Sequence, residues 1–394
     1  MEIKPNIYYC GVQNPQLRVF DIIMKTPYGT SYNAYIVKGD KDAALIETVK
    51  DSYWEEYEAK VNEIMPIKDI KYLIVNHTEP DHSGSIENLL EINPDITIIG
   101  TSSALQFLNY IVNKPFNKQI VKKGDSIDLG NRELQFYPMP NLHWPDSMFT
   151  LDVQENALFT CDSFGAHFSY EPVLLSKMEN KDELYKAQKD YFVNILSPFA
   201  DPFLINGTNF AKEINPEIIC TGHGPVLDIG IDEIFKKYTD WCKKPKHDKK
   251  QVVIAYVSAY GYTKTLAEQI YNRLTKQEGI SVRLFEVTED NKDEIVSAIL
   301  ASDAFLLGTP TIVGDALAPI AEITFALHPA MVKGKVASAF GSYGWSGEGV
   351  PNIMARFEQL RVKTVEGFRV RFKPSEESLK KADEFADRFA AALQ

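Results

Sequence analysis

Apolar runs alternate with amphipathic stretches along the C-terminal part of the chain. Five runs have the length and composition of strands, at residues 251–258, 280–287, 304–310, 335–341 and 364–372. The stretches between and after these runs repeat apolar residues at the spacing of helices. Strands that alternate with helices in this way predict a doubly wound parallel sheet, with ligands at the carboxyl ends of the strands.

The N-terminal part shows a different pattern, with many short strands and fewer clear helices. The predicted strands lie at residues 32–37, 42–48, 71–76, 95–100, 133–139, 157–162 and 217–222. The predicted helices lie near residues 51–64, 83–92, 102–113 and 180–197. This order favours mixed sheets flanked by helices.

Residues 241–251, W-C-K-K-P-K-H-D-K-K-Q, separate the two patterns. The segment is charged, contains a proline and lacks hydrophobic periodicity, as is typical of a linker. We therefore expect two domains, at residues 1–246 and 252–394. A chain of 394 residues is also longer than one ordinary core requires.

Composition and charge narrow the range of partners. Hydrophobic residues make up 44% of the chain and charged residues 24%, and the formal net charge is −12. With the lysines and arginines scattered, this balance predicts no nucleic-acid partner and no membrane partner. The N-terminus lacks the apolar core of a signal peptide, and no apolar run approaches the roughly 20 residues of a spanning helix, so a cytoplasmic protein is expected. The four cysteines form no C-x-x-C pair, and we expect them to be reduced and structural.

The segment N-H-T-E-P-D-H-S-G, residues 76–84, carries the sharpest chemical signal. It places two imidazoles and two carboxylates within six residues, directly after a predicted strand, where a loop can turn several of them toward one point. Further candidates follow other strands in P-N-L-H-W, F-T-C-D-S and T-G-H-G, so four of the seven histidines fall in such motifs. The seven candidate metal ligands are His77, Glu79, Asp81, His82, His143, Asp162 and His223.

This set resembles the metallo-β-lactamase fold, an αββα sandwich whose zinc hydrolases carry His-x-His-x-Asp-His in the first motif. Glu79 stands here in place of the second histidine. Imidazole and thiolate ligands suit zinc, whereas added carboxylates are hard oxygen donors that suit iron. The resulting pattern, His-x-Glu-x-Asp-His, resembles that of the flavodiiron family.

The resemblance implies a role for each candidate ligand in a site with two iron ions. It assigns His77, Glu79 and His143 to one iron, assigns Asp81 and His223 to the other, and makes Asp162 the bridge. His82 matches a position that binds the second iron in some members and turns away in others. His167 is expected either to lie behind the ligands without binding metal or to be structural. Tyr191 resembles a tyrosine-rich stretch near the family's site, and a packing role fits it equally well.

The loop S-A-Y-G-Y-T, residues 258–263, joins the first strand and the first helix of the C-terminal domain. Its hydroxyls and the backbone N–H groups around Gly261 are suited to hold a phosphate at a helix N-terminus. The loop lacks both the dinucleotide fingerprint and the lysine of the Walker loop. A single phosphate of this kind suits FMN, although a turn that only caps the helix has the same composition.

Two further loops favour a flavin site. G-T-P-T-I-V-G-D follows the third strand and G-S-Y-G-W-S-G-E-G follows the fourth, where aromatic side chains between glycines can stack on an isoalloxazine ring. The domain therefore resembles a flavodoxin, with a flavodoxin-like doubly wound parallel sheet. The candidate FMN contacts are Ser258, Tyr260, Gly261, Tyr262, Thr263, Thr309, Pro310, Thr311, Ile312, Ser342, Tyr343, Gly344, Trp345 and Gly347.

The flavodiiron resemblance covers essentially the whole chain and implies a function. It implies an oxidoreductase that reduces dioxygen to water, nitric oxide to nitrous oxide, or both, at a non-haem diiron site fed by FMN. The sequence shows no C-terminal cysteine-rich or reductase module, so electrons are expected from an external donor such as rubredoxin or a reduced deazaflavin. The family further implies a head-to-tail homodimer or a dimer of dimers, with the FMN of one subunit facing the irons of the other.

Two other functions fit parts of this pattern. A binuclear zinc hydrolase with a flavodoxin appendage would contain zinc and hydrolyse esters, lactams or thioesters, and Glu79 argues against it. An electron carrier would keep the N-terminal domain only as a scaffold, and the complete set of candidate ligands argues against that.

Overall fold

The computed structural model describes residues 1–22, 24–243 and 247–394, and the chain divides into two compact units, Met1–Lys243 and Lys244–Gln394. The predicted linker and the predicted end of the first domain fall partly on residues 244–246, which lie outside the described residues. Each unit has its own hydrophobic clusters and is described by itself.

The first unit contains 16 strands among its described residues. They are β1 (Glu2–Lys4), β2 (Ile7–Tyr9), β3 (Val12–Asn14), β4 (Val19–Phe20), β5 (Met24–Lys25), β6 (Thr30–Tyr32), β7 (Tyr35–Lys38), β8 (Ala43–Ile46), β9 (Tyr72–Ile74), β10 (Thr97–Gly100), β11 (Asn117–Ile120), β12 (Ser126–Asp128), β13 (Glu133–Pro138), β14 (Met148–Asp152), β15 (Ala157–Cys161) and β16 (Ile218–Thr221).

Seven α-helices accompany these strands within the same described residues. They are α1 (Trp54–Ile64), α2 (Pro80–Ser83), α3 (Ile86–Ile92), α4 (Ser102–Val112), α5 (Asp182–Tyr191), α6 (Ile205–Ile214) and α7 (Ile231–Trp241). Short 3₁₀ or π turns lie at Asp51–Tyr53, Ile67–Asp69, Leu175–Lys177, Phe192–Leu196, Ser197–Phe199 and Ala200–Leu204.

Two sheets form the middle of the first unit. One has the order β1-β2-β7-β8-β9-β10-β11, and it is parallel from β8 to β11. The other has the order β12-β13-β14-β15-β16, in which only β15 and β16 run parallel. The short pairs β3-β6 and β4-β5 lie outside these sheets.

Side chains that alternate along the strands fill three hydrophobic layers. On β15, Ala157 and Phe159 point to the cluster between the two sheets, whereas Leu158 points to the cluster shared with α5, α6 and α7. A third cluster packs α1, α3 and α4 against the outer face of the first sheet. A buried side chain such as Phe159 contributes on the order of 1.5–3 kcal/mol. The layer order is therefore helix, sheet, sheet, helix, and the predicted αββα sandwich is confirmed.

The second unit contains strands β17 (Lys250–Tyr256), β18 (Ile280–Glu286), β19 (Ala304–Gly308), β20 (Thr311–Ile312), β21 (Asp315–Ala316), β22 (Val336–Tyr343), β23 (Lys363–Thr364) and β24 (Phe368–Arg371). Its helices are α8 (Tyr262–Leu274), α9 (Lys292–Ala301), α10 (Ala318–Ala326), α11 (Pro329–Val332), α12 (Gly349–Gln359) and α13 (Glu376–Ala391).

The main sheet of the second unit has the order β18-β17-β19-β22, with β23 and β24 both paired to β22. All of these pairs are parallel, and hydrophobic clusters cover both faces. The predicted doubly wound sheet is confirmed. The predicted fifth strand at 364–372 consists of two short strands that flank residues 365–367.

Among the described residues, no helix combines the length and the apolar character needed to cross a membrane. The four cysteines are free thiols, and three of them are buried.

Candidate functional site

The candidate metal ligands of the first unit follow the ends of strands. His77 and Glu79 lie between β9 and α2, while Asp81 and His82 lie within the single turn of α2. The remaining three follow β13, β15 and β16, and they are His143, Asp162 and His223. The structure brings all seven side chains together at one edge of the two sheets.

The first group of ligand atoms surrounds Glu79. Its Oε2 lies 3.1 Å from Nε2 of His77 and 3.3 Å from Nε2 of His143. Oδ2 of Asp162 lies 2.9 Å from the same nitrogen of His143 and 3.7 Å from that of His77. The ligand atoms of these four residues lie within 4.8 Å of one another, which is close enough for one metal ion to contact all of them.

The second group surrounds Asp81. Its Oδ2 lies 3.2 Å from Nε2 of His223 and 3.6 Å from Nε2 of His82. The other oxygen of Asp162, Oδ1, lies 3.0 Å from Nε2 of His82 and 3.5 Å from Nε2 of His223. Asp162 therefore faces both groups, with one oxygen toward each.

The hydrogen bonding of these groups fits metal ions. Asp81 is buried, and neither of its carboxylate oxygens accepts a hydrogen bond among the described residues. A buried carboxylate without a donor is costly unless a cation balances it. Seven residues, four with imidazoles and three with carboxylates, offer donor atoms here, and the three carboxylates supply the hard oxygen ligands that favour iron.

Electrostatics keeps the shared carboxylate ionised. Burial alone would raise the pKa of Asp162, but the imidazoles of His82, His143 and His223 hold this pKa well below its usual range. The negative charge is thus available to a cation at neutral pH. Glu79 is the most exposed of the seven ligands, with 18% of its side chain accessible, so the site opens to solvent on the side of Glu79.

Several groups that sequence reasoning missed lie behind the ligands. Nδ1 of His223 lies 2.6 Å from the carbonyl oxygen of Ser31. Asp146 lies on the far side of His77, with Oδ2 3.5 Å from its Nδ1. The only sequence signal for Asp146 is its place three residues after His143, in H-W-P-D.

Glu47 is a further buried carboxyl that the sequence did not single out. It follows β8 with a left-handed backbone, φ 61°, and its Oε1 accepts the N–H of Asn76 at 2.8 Å. Burial raises the pKa of Glu47 to about 8, so it is largely protonated at neutral pH in the metal-free protein.

His167 and Tyr191 lie beside the second group, outside the two sets of ligand atoms. Nδ1 of His167 lies 3.0 Å from Oγ1 of Thr30, and its ring packs 5.0 Å from that of His223. Burial lowers the pKa of His167 well below its usual value, so this imidazole is neutral. The ring of Tyr191 packs edge-on against His167 at 4.9 Å.

The three candidate flavin loops of the second unit lie at the carboxyl ends of β17, β19 and β22, which are neighbours in the sheet. Oγ1 of Thr263 and Oγ of Ser342 lie 3.0 Å apart and join the first loop to the third. Oγ1 of Thr311 accepts the N–H of Gly349 at 3.1 Å and joins the second loop to the third. The structure thus gathers the predicted contacts from all three loops at one edge.

The individual flavin candidates differ in exposure. Thr263 and Thr309 are buried, whereas the side chains of Tyr260 and Trp345 are 80% and 93% exposed. Oγ of Ser258 accepts the N–H of Lys264 at the start of α8. Lys264 directs its ammonium group to Glu286, 3.2 Å away, and not to the loop. The edge therefore offers hydroxyls, backbone groups and exposed aromatic rings to a ligand. Lys264 pairs with Glu286 and does not point to the place where a phosphate would bind.

Two families match this chain. Residues 30–224 match the family described as ODP family beta lactamase, and residues 254–385 match flavodoxin. The chain is 39% identical to the flavo-diiron protein FprA2 of Clostridium acetobutylicum, over 100% of this chain and 99% of that protein.

Two other relatives are informative. The anaerobic nitric oxide reductase flavorubredoxin of Klebsiella pneumoniae is 30% identical, over 96% of this chain and 78% of that protein. The solved structure of the rubredoxin oxygen:oxidoreductase from Desulfovibrio gigas is similar with a TM-score of 0.76 and 27% identity, over 100% of this chain and 98% of that one.

Proposed function

Because this chain belongs to the flavodiiron protein family and is an oxidoreductase, we propose that it reduces dioxygen to water, nitric oxide to nitrous oxide, or both. The cofactors that the family implies are FMN and a non-haem diiron centre. The names of two relatives support the two substrates: one relative is called a nitric oxide reductase, and another an oxygen oxidoreductase.

The observation that carries this proposal is the position of Asp162 between two groups of ligand atoms. Its two oxygens face different groups, as expected of a carboxylate that bridges two metal ions. In the proposed assignment, His77, Glu79 and His143 hold one iron. Asp81, His82 and His223 hold the other, and Asp162 is shared by both groups.

Two ferrous ions and one reduced flavin supply four electrons, which is the number that dioxygen needs for complete reduction to water, whereas coupling two nitric oxide molecules needs two. The protein contributes the surroundings of this chemistry. The low exposure of the ligands limits the access of bulk water, and Glu79 marks the side that a small gas molecule can reach.

The second unit is proposed to hold FMN at the edge formed by its three loops. The hydroxyls of Ser258 and Thr263 and the N-terminus of α8 would hold the phosphate. Tyr343 and Trp345 are proposed to flank the isoalloxazine ring. Trp345 is exposed and Tyr343 is half-buried at this edge, so the ring of Trp345 is free to cover a flat ring.

Electrons are proposed to reach FMN from an external donor, either rubredoxin or a reduced deazaflavin. The Desulfovibrio gigas relative is called a rubredoxin oxygen:oxidoreductase, which supports the first. We also propose a head-to-tail homodimer, alone or as a dimer of dimers, in which the FMN of one subunit serves the irons of the other.

Stopped-flow oxidation of the fully reduced holoenzyme by each gas tests the proposal, together with iron, zinc and FMN quantification. We expect two irons and one FMN per chain and rapid flavin oxidation by at least one gas. His143→Ala should abolish gas reduction but leave flavin reduction intact, whereas His247→Ala removes an exposed histidine and should change neither. Zinc in the site, or no reaction with either gas, would reject the proposal.

A further inference from the structure

A buried carboxylate, Asp146, lies behind the metal-facing imidazole of His77. Its Oδ2 accepts two hydrogen bonds from Thr78, one from the backbone N–H and one from Oγ1, each at 2.7 Å. The backbone carbonyl of Asp146 also accepts the hydroxyl of Thr101 at 3.0 Å. The carboxylate is therefore fixed in place at 0% exposure.

The two ring nitrogens of His77 have different surroundings. Nε2 faces the ligand atoms of Glu79 and Asp162. Nδ1 forms no hydrogen bond of good geometry among the described residues, and its nearest acidic neighbour is Oδ2 of Asp146, 3.5 Å away. A histidine that binds metal through one nitrogen usually donates its other N–H to a carboxylate, a carbonyl or a water. In this structure, the carboxylate of Asp146 can accept that hydrogen bond from Nδ1 of His77.

The charge of Asp146 also needs an explanation. A buried carboxylate is expensive without a compensating cation. Among the described residues, no lysine or arginine forms an ion pair with Asp146, and His77 is its only basic neighbour within 4 Å. A metal ion on the other side of His77 would supply the missing positive charge through the imidazole.

We propose that Asp146 is a positioning residue of the metal centre, which keeps the proton of His77 on Nδ1 and holds Nε2 toward the metal. This inference rests on the proposed diiron function. By making the imidazole a stronger donor, Asp146 raises the affinity for iron at the position held by His77 and stabilises its ferric state. On the other side of the site, Nδ1 of His223 has neutral partners for this purpose, the carbonyl oxygen of Ser31 at 2.6 Å and Oγ1 of Thr30 at 3.5 Å.

Asp146→Asn tests the proposal, because asparagine has the same shape but lacks the charge. The amide oxygen of the asparagine would stay at the position of Oδ2, because it must accept the two hydrogen bonds from Thr78, so the variant keeps an acceptor near Nδ1 of His77 and removes only the negative charge. Asp152→Asn is the matched control: Asp152 is also 0% exposed, but it pairs with Arg132 at 2.6 Å and lies away from the ligands.

Iron binding and iron potential are the readouts, and neither depends on gas turnover. Iron(II) titration of the metal-free protein should show a loss of affinity of roughly 10–100-fold at one of two positions in Asp146→Asn. A redox titration followed by EPR should show that the reduction potential of one iron ion is raised. The increase should be about 59 mV for each tenfold weakening of ferric relative to ferrous binding. Asp152→Asn should lower the thermal stability but keep both the affinity and the potential.

Thr78→Val provides a second variant if Asp146→Asn does not fold. It removes the hydroxyl donor to Asp146 and should shift affinity and potential in the same direction by a smaller amount. Wild-type affinity and potential in the folded variants would overturn the inference. If the wild type binds two irons and neither variant has an effect, only the role of Asp146 is rejected. If the wild type binds no iron, the proposed function is rejected.

Discussion

The carboxylate of Glu79 faces two imidazoles, and this contact decides which metal the first group of ligand atoms prefers. With a third imidazole in its place, the group would offer mainly nitrogen donors, which suit zinc. We expect Glu79→His to lower the iron content and raise the zinc content of protein grown with both metals, as measured by metal analysis. Glu63→His, on the exposed surface of α1, is the matched control. Unchanged iron occupancy in Glu79→His would contradict the role given to this oxygen donor.

Glu47 gives the metal-free protein a pH dependence of known sign. Burial raises its pKa from 4.5 to about 8, so its contribution to stability is fully present below pH 4.5 and is lost as the pH rises through 8. Glu47→Gln keeps an acceptor for Asn76 but cannot ionise. The stability of this variant relative to wild type should therefore rise by about 1.4 kcal/mol per pH unit within that window.

Urea unfolding of the metal-free proteins between pH 5 and pH 8 measures this difference. Tryptophan fluorescence follows mainly the first unit, because Trp54, Trp144 and Trp241 lie there and only Trp345 lies in the second. Glu63→Gln controls for the amide substitution. Parallel profiles for Glu47→Gln and wild type would show that Glu47 does not titrate in this window.

At the residue scale, the sequence was informative where a chemically distinctive side chain follows a strand. The positions of His77, Asp162 and His223 could be foreseen as neighbours because the carboxyl ends of strands meet at one edge. The role of Asp146 could not be foreseen, because it depends on the position of this carboxylate beside Nδ1 of His77, which only the folded structure defines. The carbonyl of Ser31 was equally hidden, because every residue has a carbonyl and only the fold selects one.

At the scale of elements, the predictions succeeded for strands buried on both faces and failed where the local pattern was weak. The strands near 157–162 and 217–222 were predicted, and the structure has them at Ala157–Cys161 and Ile218–Thr221. Their neighbour β14 was missed, although it is buried throughout, because it directly follows the polar turn at H-W-P-D-S. Helices α6 and α7 were also missed, although α7 repeats apolar residues at helical spacing, at Ile231, Ile234, Phe235 and Tyr238. In the structure both helices pack against the second sheet.

The third flavin loop depends on an element that is distant in sequence. Arg369 on β24 donates a hydrogen bond to the carbonyl of Gly347 at 2.8 Å, and its guanidinium lies 5.6 Å from the ring centre of Tyr343. A hydrogen bond from a charged group contributes about 1.5–3 kcal/mol. We expect Arg369→Met to loosen this loop and weaken FMN binding roughly tenfold, about 1.4 kcal/mol.

Fluorescence titration of the flavin-free protein with FMN measures this affinity. Arg283→Met is the matched control, because it removes another exposed arginine of the same unit, one that pairs with Glu294 on α9. Equal FMN affinity in Arg369→Met and in the control would mean that the loop keeps its shape without Arg369.

At the scale of the whole molecule, the two units hold different parts of one proposed reaction. The ligand atoms lie in Met1–Lys243 and the flavin loops in Lys244–Gln394, and each unit has its own core. The change of pattern near residue 250 was visible in the sequence because mixed and parallel sheets repeat apolar residues differently. In the proposed dimer, assembly would determine which iron site each FMN serves, and no local sequence pattern encodes assembly.

Two arrangements of a dimer can be distinguished by experiment. In the proposed head-to-tail dimer, the FMN of one subunit serves the irons of the other, whereas in the alternative each FMN serves the irons of its own chain. Asp162→Ala removes the carboxylate shared by both groups of ligand atoms, so this subunit should keep FMN but lose its irons. Gly341→Ala should do the reverse, because a Cβ there would lie 1.8 Å from the carbonyl oxygen of Thr309 and force the second and third flavin loops apart. Each homodimer should then be inactive.

A mixed dimer, purified through two different tags, would contain one intact pair of FMN and irons if the pair spans two subunits. We therefore expect it to recover up to about half of the wild-type turnover per dimer, since one of two pairs is complete. A mixed dimer without activity, with iron and FMN each present on the expected subunit, would place both cofactors of a working pair in the same chain.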